Sequence, residues 1–321
     1  MFKRLGTELA LFAVLLVEAA GQTDPEAPAI HLPAGLDSMK QSALQAAIHE
    51  HNYAAAETLL AEEAGRNPKL QSLLVLLADV LFLDGKQLNA ALVLKNAELL
   101  GPLDEQSRFL LALSYISLGR KNLAVTELEQ LTKSSPANAL YPYWLSRLAY
   151  RRMDLDSALS HARQAVRLNP AFAKAYDQLG LCYAGLARHQ DAIEAFQQAI
   201  RLVQQQSLRW PWPSMNLGTL YLRLERLDEA EAALRQSLAL EPDFPVAHLR
   251  LGRVLEKRQQ PAEAIRELKE AARLDPTYPE PHYALARIYK KQADPKAAQD
   301  ELRIFQQLRN VDKQKGITRP D

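Results

Sequence analysis

Apolar and small residues recur through most of the chain with a period of 34 residues. Numbered within one period, position 7 is leucine and position 8 is small in seven of eight recurrences, and position 20 is always alanine. Positions 7, 8 and 11 share one face of a helix, as do positions 20, 24 and 27. Each period is therefore predicted to hold two helices that approach closely through small side chains. The recurring alanines are Ala56, Ala90, Ala124, Ala158, Ala192, Ala230, Ala264 and Ala298.

Proline occupies position 32 in six of the eight periods. Because proline lacks an N–H and disfavours helix in the preceding residue, it is predicted to end the second helix. Four extra residues, Ser207 to Trp210, interrupt the spacing after the fifth period. Each helix pair would bury its second face only on a neighbour, so we expect a continuous core. Repeats are predicted at 37–70, 71–104, 105–138, 139–172, 173–206, 211–244, 245–278 and 279–312.

This pattern resembles the tetratricopeptide repeat family, a 34-residue helix-turn-helix with small residues at positions 8 and 20, an aromatic at 24 and proline at 32. The resemblance extends over residues 37 to about 312 and implies an all-α fold, a right-handed superhelical α-solenoid. Ala43 and Asn310 depart from the pattern, as expected of repeats that face water at the ends of an array. The fifth repeat shows the pattern most fully, with Tyr176, Leu179, Gly180, Tyr183, Ala192, Phe196 and Ala199.

Residues 1–21 are predicted to be a secretory signal peptide. Lys3 and Arg4 form a basic start, Leu9 to Val17 form an apolar run too short to span a bilayer, and Ala19 to Gly21 are small. The alternative is an amphipathic helix that caps the array. Residues 22–36, with three prolines, are predicted to be an extended leader, and 313–321 a polar tail. Signal cleavage would leave a periplasmic or secreted protein with no transmembrane span.

The composition and charge restrict the classes of function. Hydrophobic residues make up 48% of the chain and aromatic residues only 7%, which fits an Ala/Leu-rich helical protein. The formal net charge of +1 argues against nucleic-acid binding driven by total charge. Charged residues of the two signs are unevenly distributed along the chain. Residues 22–138 carry nine Lys/Arg and fourteen Asp/Glu, whereas residues 139–321 carry twenty-eight Lys/Arg and twenty-two Asp/Glu.

The family resemblance implies that the first helices line a concave groove through positions 2, 5, 6, 9, 12 and 13. Repeats two to four then place a largely apolar set there, with one arginine: Val75, Phe82, Phe109, Leu113, Tyr143, Arg147 and Tyr150. Repeats six to eight place a cationic set there: Arg223, Arg250, Arg253, Lys257, Arg287 and Lys290. Such a groove would suit a protein or peptide segment with an apolar end and an acidic end. The alternative is that the aromatic residues pack between repeats and the arginines are simply solvated.

Some arrays of this family grip a chaperone's C-terminal carboxylate with a defined set of polar residues. Asn216 and Arg250 occupy two of the matching positions, but Asp177, Leu181 and Val246 fill others. We therefore do not predict this clamp.

Trp210-Pro211-Trp212-Pro213 lies at the insertion after the fifth repeat. Two tryptophans beside prolines could form an exposed stacking platform, since a ring with rigid neighbours loses little entropy on binding. The alternative, which we favour, is that they fill the space that the insertion opens between repeats five and six.

The sequence contains no strong signal for catalysis, a cofactor or a metal. His49 and His51 lie two residues apart and would face different ways on a helix. His248 and His282 share position 4 of adjacent repeats and are expected to pack singly, and Cys182 is expected to be a buried thiol. No phosphate loop or nucleophile elbow is present.

We therefore expect an exported, non-enzymatic scaffold that binds a protein or peptide in assembly of an envelope or secretion complex. The alternative is an accessory subunit of an envelope enzyme or polysaccharide-export system, for which binding of acidic polysaccharide to the arginine-rich half would be the sign.

Overall fold

The computed structural model describes residues 38–315, and within that range every regular element is an α-helix. The all-α prediction is confirmed. The predicted signal and leader lie outside the described residues, as does the tail after residue 315. No helix of the described range has the length and apolar character that a membrane span requires. The chain forms two compact units that divide after Pro170.

The first unit contains four pairs of antiparallel helices, one pair in each of the first four predicted repeats. They are α1 (Ser38–His49), α2 (Tyr53–Arg66), α3 (Gln71–Leu83), α4 (Gln87–Glu98), α5 (Glu105–Ser117), α6 (Lys121–Ser134), α7 (Leu140–Arg151) and α8 (Leu155–Leu168).

The second unit contains the remaining four pairs. They are α9 (Ala173–Gly185), α10 (His189–Gln205), α11 (Trp212–Arg223), α12 (Leu227–Leu240), α13 (Pro245–Lys257), α14 (Pro261–Leu274), α15 (Pro279–Lys291) and α16 (Pro295–Lys315). The last helix continues three residues beyond the repeat boundary at 312 that the sequence predicts.

Proline at position 32 ends the second helix as predicted. Where it is present, the second helix stops before it, as α8 does at Leu168 before Pro170. The two repeats without this proline have Gln204 and Asn310 there, and their second helices are longer. The helix α10 runs through Gln205, and α16 runs to Lys315. Proline at position 32 therefore limits how far the second helix extends.

The recurring alanines lie in the core, as predicted, and seven of the eight have no exposed surface. They pack against position 8 of the same repeat. A Cβ added to Gly218 would lie 2.6 Å from Leu234 Cγ and 3.1 Å from the carbonyl oxygen of Ala230. In the fourth repeat, Ser146 Oγ donates a hydrogen bond of 2.8 Å to the carbonyl oxygen of Ala158. Small residues at positions 8 and 20 therefore set the distance between paired helices.

The turn between the paired helices has the same backbone conformation in all eight repeats. Position 15 always has positive φ, but it is glycine only at Gly85 and Gly119. The other repeats place ordinary side chains there: His51, Met153, Ala187, Glu225, Gln259 and Ala293. Sequence patterning missed this turn, because the shared feature is a left-handed backbone rather than a residue type.

Candidate partner-binding surface

The predicted apolar surface of the first unit is largely covered. Phe82, Phe109, Leu113 and Tyr143 are each at most 7% exposed. Val75 and Tyr150 retain partial exposure. Because these four side chains are buried, they pack within the fold and are not available for direct contact with a partner. Val75 and Tyr150 remain candidates for such contact.

Asp79 lies on α3 within this apolar surface, and sequence analysis missed it. It follows Val75 by one helical turn and is largely buried. Burial, with a smaller contribution from the nearby charge of Asp104, raises the pKa of its carboxyl to about 7. Asp79 occupies position 9, the same position as Leu113 and Arg147, so a check of position 9 in every repeat would have found it.

The helix α7 carries a cation on aromatic rings. The Arg147 guanidinium lies 4.5 Å from the centroid of the Trp144 ring and 5.7 Å from that of Tyr143. One turn away, burial lowers the pKa of Arg151, and the charge of Arg147 lowers it further. These contacts hold the Arg147 guanidinium against two aromatic rings of its own helix.

Two of the predicted cations in the second unit are already engaged by carboxylates. Lys257 Nζ lies 2.5 Å from Glu225 Oε1, and Arg287 pairs with Glu256, its Nε donating to Oε1 at 3.2 Å. Lys291 donates to the same Glu256 carboxylate at 2.8 Å. Burial raises the pKa of Glu256, but the hydrogen bonds from Arg287 and Lys291 outweigh it and hold the pKa below its usual value. These pairs reduce the positive charge that the sequence led us to expect.

Three other predicted cations have no carboxylate partner within residues 38–315. They are Arg223 on α11, Arg253 on α13 and Lys290 on α15, one on each of three successive first helices. Arg250 lies one turn before Arg253 on α13 and is half-buried. The cations left available to an anionic partner are thus fewer than predicted, but they are distributed along three repeats.

Asn216, which matched one position of the chaperone clamp, is used inside the second unit. Its Nδ2 donates a hydrogen bond of 2.9 Å to Asp177 Oδ1. The amide is therefore committed to an intramolecular contact at the place where the clamp would need it for a ligand.

The histidines at position 4 pair with glutamates at position 23 of the same repeat. His248 Nδ1 lies 2.7 Å from Glu267 Oε2, and His282 Nδ1 lies 2.6 Å from Glu301 Oε2. In the third repeat Arg108 takes the same place, with Nη1 2.7 Å from Glu127 Oε2. These contacts join first to second helices. Across residues 38–315, no three His, Cys, Asp or Glu side chains converge as metal ligands would.

The two tryptophans of the insertion differ in exposure. Trp210 is half-buried against the small cluster of Ala173, Leu202 and Val203, so it fills only part of the space at the insertion. Trp212 packs edge-on against Phe244, with ring centroids 4.9 Å apart, yet it remains 40% exposed. Cys182 is fully buried, as expected.

Sequence models of the tetratricopeptide repeat match most of this chain. One matches residues 109–171 and 215–279, a second matches 172–241, and a third matches 255–310. The small glutamine-rich tetratricopeptide repeat-containing protein 2 of Mycosarcoma maydis is 40% identical over 47 residues. That match covers 15% of this chain and 13% of the relative, so it extends to little of either protein.

Solved structures of similar fold support the same repeat architecture. PilW, a widely conserved type IV pilus biogenesis factor, matches with a TM-score of 0.57 and 23% identity, over 61% of this chain and 90% of its own. The Cut9–Hcn1 hetero-tetramer of the APC/C matches with a TM-score of 0.61 and 19% identity, over 76% of this chain and 48% of its own. At these identities the similarity is one of fold, and it confirms the α-solenoid class.

Proposed function

The chain belongs to the tetratricopeptide repeat family, and on that premise we propose that it is an exported scaffold that binds a protein or peptide partner in the assembly of an envelope or secretion complex. The contact surface would be the first helices of the second unit. Binding would be non-covalent, through side chains presented by a rigid helical framework, with no enzymatic step.

The observation that carries this proposal is the set of Arg223, Arg253 and Lys290. Other Lys/Arg side chains of α13 and α15, namely Lys257, Arg287 and Lys291, have carboxylate partners inside the unit. A cation without an internal partner can form a charge-assisted hydrogen bond with a carboxylate of a ligand, and an arginine can do so through two N–H groups. Cations on the first helices of three successive repeats favour an extended acidic segment over a single anion.

Charge reversal of these three residues tests the proposal. Wild-type protein and the triple variant Arg223→Glu, Arg253→Glu, Lys290→Glu would each be crosslinked in envelope extract, and captured proteins quantified by mass spectrometry. Partners should be lost with the variant, and capture by the wild type should weaken as salt rises from 0.05 to about 0.5 M, because salt screens exposed charges.

A matched control reverses three cations on second helices. Arg266 and Lys269 of α14 and Lys296 of α16 are exposed, so Arg266→Glu, Lys269→Glu, Lys296→Glu changes the net charge equally. If both variants lose the same partners, net charge rather than the first-helix surface determines binding, and the proposed site is wrong.

Export is part of the proposal and needs a separate test. The support is the basic start, apolar run and small residues of 1–21. We expect the protein in the periplasmic or extracellular fraction with Gln22 as its first residue, which N-terminal sequencing would show. Recovery of intact Met1 from the cytoplasmic fraction would contradict export.

The same three cations would also suit an acidic polysaccharide, which is the basis of the alternative role in an envelope enzyme or polysaccharide-export system. Alginate, an acidic polysaccharide, is a probe that distinguishes the polysaccharide-binding role from the protein-binding role. Saturable binding of alginate that disappears with the first-helix variant and not with its control would favour the polysaccharide role over the protein-binding role.

A further inference from the structure

The four-residue insertion leaves a cleft between the second helices α10 and α12. The helix α10 ends at Gln205, and Ser207 then turns the chain with a φ of 52°. Leu208 N donates to the carbonyl oxygen of Val203 at 2.9 Å, which fixes this turn on the helix end. Residues 208–211 bridge to α11, and Ser237 Oγ on α12 donates to the carbonyl oxygen of Pro211 at 3.1 Å. The bridge is thus anchored at both ends.

The cleft has a volume of about 130 Å³ and a mainly apolar wall. The apolar lining consists of Ile200, Val203, Trp210, Pro213, Ala239 and Leu240. Val203 and Pro213 are buried and lie at its floor, whereas Ala239 is exposed and lies at its mouth. No charged side chain lines it. A charged group that entered the cleft would lose hydration without an opposite charge in the lining, so the lining favours an uncharged group.

The size of the cleft limits what can occupy it. Pockets for cofactors and drug-sized molecules are about 300 to 1,000 Å³, several times larger. An apolar cavity of about 150 Å³, lined by aliphatic and aromatic side chains, takes up one benzene molecule. A cleft of this volume therefore accommodates one six-membered ring.

The residues around the mouth are suited to a peptide backbone. Gln204 and Gln236 contribute to the lining and are not buried, so each presents an amide with a donor and an acceptor. Trp210 supplies an aromatic wall, against which a second ring packs favourably edge-to-face. Aromatic anchors that enter a small pocket commonly dominate the energy of a protein–protein contact.

We propose that this cleft is a docking site for one phenylalanine side chain of a protein partner. The ring enters between α10 and α12 against Trp210, and the Gln204 and Gln236 amides contact the backbone beside it. This site is on second helices and shares no residue with the cationic surface of α11, α13 and α15. It is therefore independent of the proposed function, and either can fail without the other.

Toluene, which is the phenylalanine side chain without its backbone, probes the cleft directly. With indole ¹⁵N labelling, Trp144, Trp210 and Trp212 give separate Nε1–H signals that single Trp→Phe variants assign. We expect toluene to shift the Trp210 signal saturably and to leave Trp144 unchanged. Methylcyclohexane, the saturated counterpart, should bind more weakly. No saturable shift at Trp210, or tighter binding of methylcyclohexane, would overturn the proposal.

A variant that fills the cleft tests whether toluene binds there. Ala239→Leu places a larger side chain at the mouth on an exposed face of α12, so the fold should be retained, as circular dichroism would show. Toluene affinity should fall at least about tenfold, a difference of about 1.4 kcal/mol. Ala232→Leu is the matched control, because Ala232 is also exposed on α12 but does not line the cleft. Equal toluene affinity in Ala239→Leu and Ala232→Leu would show that toluene binds outside the cleft.

The peptide part of the proposal is tested with a phage-displayed random peptide library. Peptides selected on the wild type and depleted on Ala239→Leu should share one phenylalanine, and replacing it with alanine should abolish binding. Selected peptides without an aromatic residue, or peptides that bind both proteins equally, would show that the cleft does not dock this side chain.

Discussion

His248 Nδ1 lies 2.7 Å from Glu267 Oε2, while its Nε2 lies 2.8 Å from the carbonyl oxygen of Pro242. Both ring nitrogens thus face acceptors, and only the imidazolium, with two N–H groups, donates to both. Burial lowers the pKa of His248, but the hydrogen bonds to Glu267 and Pro242 and the charge of Glu270 outweigh it and raise the pKa above its usual value. The contact joins α13 to α14, so protonation should stabilise this repeat.

The first prediction concerns the pH dependence of that contact. Because the folded pKa is higher than the unfolded value of about 6.5, the folded state binds the proton more tightly. The stabilisation is complete below pH 6.5 and is lost as pH rises through the folded pKa. The variant His248→Gln should therefore be less stable than wild type by on the order of 1 kcal/mol at pH 5.5, and the deficit should shrink by pH 9. Urea denaturation at both pH values measures it.

His51→Gln is the control for His248→Gln. His51 is exposed and contacts the hydroxyl of Tyr53 at 2.8 Å, and it has no carboxylate partner among residues 38–315. At this exposed position the substitution should change the free energy of unfolding at pH 5.5 by no more than about 0.5 kcal/mol. A deficit for His248→Gln that stays constant from pH 5.5 to 9 would mean that the neutral ring serves equally well.

The second prediction concerns the contact that sets the spacing of paired helices. Gly218→Ala adds a methyl group 2.6 Å from Leu234 Cγ, and Leu234 is fully buried. Overpacking of this kind costs about 1 to 3 kcal/mol, which exceeds the gain in helix propensity of up to about 1 kcal/mol. Repeats two and three have alanine at this position, so the position itself tolerates a methyl where the helices are spaced for it.

Gly65→Ala separates the effect of overpacking on stability from the effect of helix propensity. Gly65 lies in α2, and a Cβ there would meet nothing within 4 Å. This variant should be unchanged or stabilised by up to about 1 kcal/mol. Thermal and urea denaturation would compare the two. Stabilisation by Gly218→Ala would show that Leu234 moves aside at no cost.

The third prediction concerns the left-handed turn at position 15. Met153 has a φ of 60° and is 73% exposed, so its side chain contributes little that glycine would lose. A left-handed conformation costs an ordinary residue about 1 kcal/mol relative to glycine. Met153→Gly should therefore stabilise the first unit by up to about 1 kcal/mol, measured as a rise in the urea midpoint.

Gly119→Ala provides the reverse change at the same turn of the neighbouring repeat. Gly119 has a φ of 69°, and an added Cβ would meet nothing within 4 Å, so only backbone strain is altered. It should destabilise by about 1 kcal/mol. If Met153→Gly and Gly119→Ala change the free energy of unfolding in opposite directions, backbone strain is the cause. Changes in the same direction would contradict this explanation.

These turns show where sequence reasoning stops. Alanine at position 20 and proline at position 32 were predictable, because a close helix contact and a missing N–H each require particular side chains or their absence. The left-handed turn at position 15 was not predictable, because different residue types have positive φ at that position. Only Gly85 and Gly119 are of a residue type that indicates such a turn.

The candidate surface was less predictable than the fold. Position within the repeat places a side chain on a first helix, but it does not reveal which carboxylate lies opposite. Lys257 and Arg287 were grouped with Arg223 and Arg253, and only the structure shows Glu225 and Glu256 beside the first two. The same limit applies to Phe109, which is buried and packs on Tyr141 of the next repeat with ring centroids 5.4 Å apart.

The fourth prediction concerns Asp79, which has no hydrogen-bond donor within residues 38–315. Burial and, to a lesser extent, the charge of Asp104 together raise its pKa from 3.8 to about 7. The folded state therefore holds this proton to higher pH than the unfolded state, and the stability of the first unit should fall as pH rises from about 4 to 7. Asp79→Asn removes the charge that must be desolvated. It should match wild type near pH 4 and exceed it by about 2 to 4 kcal/mol at pH 8.

Asp84→Asn is the control for Asp79→Asn, because Asp84 ends the same helix and pairs with Lys86 at 2.8 Å. It should give no gain at pH 8, since its charge already has a partner. The side-chain carboxyl ¹³C signal of Asp79 should titrate near pH 7 in wild-type protein. If Asp79→Asn instead loses stability at pH 8, the carboxylate is held by a donor, and burial does not control its ionisation.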